Sequence, residues 1–219
     1  MHELIDNKTL FKHLSSLLGG EGSLAEIKSR EKFVEQGTYP IELVTCRMGD
    51  SRELVLFCKY LAGGGPNNHG HRGGVAYEAK VYSEIISKIS LPAIKYFGSR
   101  EISEKNELII VLEFIGKNLR FAYSKEKDVL QKAATWIGAF HGLFEENHPE
   151  FIKKYDKDYY NHWLNSFKEL ANPFYHEFPV IQELIRHFEE NMEMLLSVSH
   201  TLIHGEYYPR NVLIKNGII

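Results

Sequence analysis

The chain has only two cysteines, Cys46 and Cys58, in 219 residues, and no C-x-x-C spacing, so a disulfide framework or a thiolate metal knot is excluded as its organising device. Long apolar runs are missing too. The longest, Leu108 to Ile115, is broken by Glu113 and is far shorter than a membrane span. Met1 to Leu18 mixes charges with apolar residues and has no continuous apolar core, so it does not read as a secretory signal. Strong charge of either sign is absent. A formal net charge of -3 and a pI near 6.4 supply no electrostatic pull toward nucleic acid or an anionic membrane. The expectation is a cytoplasmic protein with reduced thiols that binds neither. The largest glycine cluster is Gly63 to Gly74, which holds six glycines and a proline and is expected to form a loop. That loop lacks the Gly-Lys-Ser/Thr ending of a phosphate-cradling loop, and His69 and His71 within it have no third ligand nearby.

What is present falls into two patterns. From Leu24 to Ile115 the sequence carries short β-type runs. Ile41 to Cys46 and Glu53 to Tyr60 flank the turn Met48-Gly49-Asp50-Ser51 and predict a hairpin, and Leu108 to Ile115 predicts a central strand buried on both faces. Between them, Ala76, Ala79, Val81, Tyr82, Ile85, Ile86 and Ile89 recur at helical spacing over Val75 to Ile89. The second half is helical: a stripe from Val129 to Phe144 predicts a helix over Lys125 to Asn147, and another helix is expected from Val180 to Ser197. Asn211 to Ile214 predicts a strand, and Asn216-Gly217 a hairpin turn with a return strand beginning at Ile218. The chain therefore reads as a fragment of a longer protein. The expected class is α+β, with a lobe over residues 1-115 and a helical lobe over 116-219.

One segment carries chemistry in its spacing. His204-Gly205-Glu206-Tyr207-Tyr208-Pro209-Arg210-Asn211 has the pattern H-x-E-x-x-x-x-N and follows the apolar pair Leu202-Ile203. A kinase catalytic loop has H-x-D-x-x-x-x-N: the carboxylate faces the attacking hydroxyl, and the amide five residues on binds magnesium.

His204 to Ile214 resembles the H-G-D-x-x-x-x-N segment of the aminoglycoside phosphotransferase and choline kinase-like superfamily, and the resemblance extends from about Leu24 to Ile219. It implies a protein-kinase-like two-lobe fold, with a small antiparallel sheet lobe carrying one helix and a mainly helical second lobe that is truncated. Lys59, ending the strand Leu54 to Lys59, stands where the family's phosphate-binding lysine would. Glu78 resembles the glutamate that pairs with it. Glu113, Phe114 and Ile115 resemble the hinge whose backbone binds adenine, and Gly37 and Thr38 lie in the segment of the nucleotide-covering loop. Glu206 would accept the substrate hydroxyl proton, His204 would organise the loop, and Asn211 would bind Mg2+. The implied reaction moves the γ-phosphate of ATP to a hydroxyl of a small molecule such as an aminoglycoside, choline, a sugar or an amino alcohol. Trp136 to His141 resembles a second-lobe helix of the family, with His141 read as a packing residue.

The sequence departs from the family at two points. Glu206 replaces the usual aspartate, extending the carboxylate by about 1.5 Å on an unchanged backbone, and the family's second metal-binding aspartate would lie beyond Ile219. Both support a rival reading, a pseudokinase that binds nucleotide or a partner without turnover. A protein kinase is a third reading, disfavoured by Gly205 after His204 and by the lack of D-F-G and A-P-E segments.

Overall fold

The structure is a computed structural model that describes residues 5-33, 39-61, 74-103, 107-116, 128-145, 148-209 and 211-214. Among these residues the class is α+β, with five α-helices and one five-stranded antiparallel sheet. Two compact units form: Met1–Lys132 with Tyr208–Ile219, and Ala133–Tyr207.

The first unit is built on the sheet. Its strands are β1 (Leu24–Lys32), β2 (Ile41–Met48), β3 (Glu53–Leu61), β4 (Tyr96–Ser103) and β5 (Glu107–Glu113), in the spatial order β1-β2-β3-β5-β4. Side chains alternate between the two faces of a strand, which explains the nearly unbroken apolar run of β5. Ile109 and Val111 join the core on one face, while Ile110 and Leu112 join a second core on the other. The β2–β3 turn closes with Met48 N–H on the Arg52 carbonyl at 2.9 Å and Ser51 in the left-handed region.

Helix α1 (Asn7–Leu17) covers the first face. Asp6 caps it, accepting from the N–H groups of Lys8 and Thr9 at 2.9 and 3.0 Å. Leu10 and Leu14, with Leu18 just past the helix end, are fully buried against Val44, Cys46, Leu56, Cys58, Ile109 and Val111. It passes over the edge at Gly98 (φ 138°), where an added Cβ would stand 2.6 Å from Leu17 Cδ2. Glycine is the residue that fits both the backbone angle and the space there.

The second face carries helix α2 (Gly74–Glu84), whose Val75 and Ala79 pack on Ile110 and Leu112. The predicted helix over Val75 to Ile89 is shorter than expected: the α-helix ends at Glu84, and a 3-10 turn follows at Ile86–Lys88.

The second unit holds most of α3 (Val129–Leu143), together with α4 (Lys157–Ala171) and α5 (Val180–Leu196). Leu164 of α4 and Ile185 and Met192 of α5 form its buried centre, edged by Tyr160 and Phe188. Lys157–Glu193 and Lys168–Glu189 ion pairs bridge α4 to α5. Among the described residues no helix is long and apolar enough to cross a membrane.

Candidate active site

In the first unit the chemistry gathers on the α2 face of the sheet. On β3, Leu56, Cys58 and Tyr60 point to the α1 core, so the alternate residues Phe57 and Lys59 point to α2. Val75 and Ala79 seat α2 on β5, and Glu78, between them on the helix, reaches Lys59. Lys59 Nζ donates to Glu78 Oε2 at 2.5 Å, and both side chains are about three-quarters withdrawn from water, 20% and 31% exposed. The ammonium also lies 5.4 Å from the centre of the Tyr39 ring. A charge-assisted bond in partly desolvated surroundings is stronger than the same pair in open water. The result is an ammonium held in one place by the carboxylate beside it.

Next to that point stands an aromatic group. Phe33 meets Phe57 edge to face at a ring separation of 5.7 Å and Phe114 at 6.3 Å. Phe57 is two residues before Lys59 on the same face of β3. Glu113 and Phe114, which resemble the hinge whose backbone binds adenine, have their N–H groups on backbone carbonyls. Glu113 N–H donates to the Lys95 carbonyl at 2.9 Å, and Phe114 N–H to the Val55 carbonyl at 3.1 Å. What Phe114 adds to this face is its ring. Ile115 follows, half-buried. Gly37, Thr38, His69 and His71 lie outside the described residues.

In the second unit, the segment after Thr201 is tied to α3. The Thr201 hydroxyl donates to the His141 carbonyl at 2.6 Å, so the structure uses the backbone of His141 here. Leu202 is buried, and Gly205 takes φ 77°, which turns the chain. Glu206 N–H then points back to His204 Nδ1 at 3.3 Å. Tyr207 lies parallel to Trp136 at 5.9 Å, Trp136 lies parallel to Phe140 at 5.3 Å, and the Tyr207 hydroxyl donates to the Ala133 carbonyl at 2.9 Å. His204 meets the Tyr207 ring edge to face at 5.6 Å. Desolvation holds the His204 imidazole below its ordinary value of 6.5, against the opposing pull of the Glu206 charge, and burial raises the Tyr207 phenol.

Asn211 belongs to the first unit, and its N–H donates to the Tyr208 carbonyl at 2.8 Å. The strand predicted over Asn211 to Ile214 is, among the described residues, an isolated bridge at Leu213, although Val212 and Ile214 are buried as a strand would require. Lys215 to Ile219 lie outside the described residues. Among the described residues no group of three or more His, Cys, Asp or Glu side chains comes together to hold a metal.

Of the residues singled out from sequence, the structure therefore brings Lys59 together with Glu78, and His204 together with Glu206. The aromatic contributors Phe33, Tyr39, Phe57 and Tyr207 were not singled out. Phe57 alone had a local signal, since strand alternation puts it on the face of Lys59. No protein-family model matches this chain, and no curated protein is similar to it.

Proposed function

We propose that the chain is a phosphotransferase of the protein-kinase-like two-lobe kind, moving the γ-phosphate of ATP to a hydroxyl of a small molecule. One observation carries the reading: a lysine on the third strand of a five-stranded antiparallel sheet, ion-paired at 2.5 Å to a glutamate on the helix that follows that strand. Kinases place a lysine on β3 and pair it with a glutamate of the next helix, so that a fixed ammonium meets the nucleotide phosphates. The aromatic group beside Lys59 supports the same reading, because a flat base linked to phosphates needs an apolar, ring-lined surface next to the cation.

In this reaction Lys59 would neutralise phosphate oxygens, with Glu78 holding its ammonium in place. The substrate hydroxyl oxygen would form a bond to the γ-phosphorus as the bond to the ADP oxygen breaks, and its proton would pass to the Glu206 carboxylate. Phosphoryl transfer depends mainly on positioning and charge neutralisation, so a glutamate can serve where its loop places the carboxylate correctly. Magnesium, when bound, supplies charge neutralisation on the phosphates. Asn211 would give it one amide oxygen, and an ion that keeps several waters and takes phosphate oxygens as ligands fits a site with few protein donors. Aminoglycosides, choline, sugars and amino alcohols are the acceptor classes proposed.

Glu206 in the aspartate position favours a second reading, a nucleotide-binding module without turnover. Radiolabelled ATP incubated with a panel of the four acceptor classes separates the two. The phosphotransferase reading expects a labelled acceptor that disappears with Glu206→Gln; ATP binding with no labelled acceptor anywhere in the panel would sink it.

A further inference from the structure

We infer that Tyr207 is the positioning residue for Glu206, fixing the loop that carries the carboxylate to α3 and to His204. The inference rests on the role proposed for Glu206, but its geometry is independent of turnover.

Glu206 has one more rotatable bond than the aspartate it replaces, so more of its placement must come from the backbone beneath it. Gly205 before it is in the left-handed region, and the Glu206 amide donates to an imidazole that the loop itself supplies. Tyr207 connects this turn to α3 on its C-terminal side, as Thr201 does before it. Its ring continues the parallel column of Trp136 and Phe140, its hydroxyl holds a carbonyl in the first turns of α3, and its edge is the surface against which His204 rests. With Tyr207 anchored, Glu206 is held on both sides: through its own N–H to His204 Nδ1, and through the following residue to α3.

This arrangement needs His204 neutral with its proton on Nε2, since a protonated Nδ1 is a donor and cannot accept the Glu206 N–H. Among the described residues, the titratable groups facing His204 are Glu206 and Tyr207, and α3 adds the uncharged Trp136 behind Tyr207. His204 therefore reports on the clamp: its titration should move the Glu206 amide signal only while Tyr207 holds the two together.

The test uses the full chain as wild type, Tyr207→Phe and Tyr207→Leu, followed by 1H–15N NMR across pH 5 to 8. In wild type the Glu206 amide shift should titrate with His204, at a midpoint below 6.5. Tyr207→Phe keeps the ring and loses the hydroxyl; the midpoint should stay, while Glu206 amide exchange with solvent should quicken about fivefold, the size of one lost hydrogen bond. Tyr207→Leu removes the ring; the His204 midpoint should rise toward 6.5 and the Glu206 amide should cease to follow it. In turnover, Tyr207→Leu should lower kcat about a hundredfold with the KM for ATP within about threefold of wild type, the signature of a misplaced group, and Tyr207→Phe should restore most of kcat. An unchanged His204 midpoint and an unchanged Glu206 amide titration in folded Tyr207→Leu overturn the assignment. If that variant unfolds, unchanged amide exchange in Tyr207→Phe overturns it instead. Absence of turnover in wild type would count against phosphoryl transfer alone, because the NMR results stand without it.

Discussion

Replacing Glu42 by alanine should loosen the first unit more than any exposed charge change on the sheet. Glu42 is 4% exposed, and its Oε2 accepts three hydrogen bonds: from Arg30 Nη2 at 2.7 Å, Arg30 Nε at 3.1 Å and the Tyr60 hydroxyl at 2.9 Å. Arg30 Nη1 extends the network to the Ile5 carbonyl at 2.8 Å and Asn7 Oδ1 at 2.9 Å, where α1 begins. Removing one partner of a buried ion pair costs roughly 3–5 kcal/mol, because the other charge is left behind. Two features place this site toward the lower end: Arg30 is 17% exposed and keeps its two bonds to the α1 terminus. Stranding the hydroxyl of Tyr60, itself 2% exposed, adds a cost of about 1 kcal/mol or more. The expected loss is about 4 kcal/mol. Glu42→Gln keeps an acceptor oxygen and should lose only about 1–2 kcal/mol, the charge assistance. Urea unfolding followed by circular dichroism reads this directly. With a slope of about 2 kcal/mol per molar, the alanine midpoint should fall by about 2 M. A fall under about 0.5 M at an unchanged slope would refute the claim that this network anchors α1 to the sheet.

Three further outcomes are expected. Gly98→Ala must accommodate a Cβ 2.6 Å from Leu17 Cδ2 at φ 138° and should cost about 1–3 kcal/mol by thermal unfolding; a neutral result would mean that α1 does not close on this edge. Burial pushes the Cys46 thiol from its ordinary 9.0 up to about 11 and the Cys58 thiol higher still. The unfolded chain then releases its thiol protons first as pH rises, so stability should be complete below pH 9 and fall by about 2 kcal/mol by pH 11 from Cys46 alone. Cys46→Ala should lose about that much of the wild-type fall over the window and keep the part due to Cys58; a fall as large as in wild type would refute the assignment. Glu78→Gln should leave the fold within about 1 kcal/mol of wild type, since the pair is partly solvated, yet weaken ATP binding by roughly fivefold in calorimetry.

The strongest sequence signals were those with a strict period or a turn. The β2–β3 hairpin and the doubly buried β5 were legible because alternation and the Met48 to Ser51 turn leave few other solutions. Lys59 and Glu78 were legible as a pair through the family resemblance, one on a strand and the other on the helix that follows it. Helix α1 was overlooked although Asp6 caps it and Leu10, Leu14 and Leu18 repeat at helical spacing; charges between them hid the stripe. Strand β4, at the edge of the sheet, hides behind Gly98 and the charged Arg100 and Glu101. Helix α4 buries only Leu164 and Ala171, too sparse a pattern to stand out. At the site, Phe33, Phe57 and Phe114 come from three separate elements, so their meeting is a tertiary fact that no window of sequence contains. The same holds for Tyr207 on Trp136, whose stack is made by the fold and not by spacing.

The central claim is that the Lys59–Glu78 pair is a nucleotide phosphate site, and calorimetric titration of ATP with Mg2+ into wild type and Lys59→Ala tests it most directly. The account predicts saturable binding by wild type and a loss of at least tenfold in Lys59→Ala, about 1.4 kcal/mol, in a variant that remains folded. Equal affinity in the two proteins, or no binding by folded wild type, would contradict it.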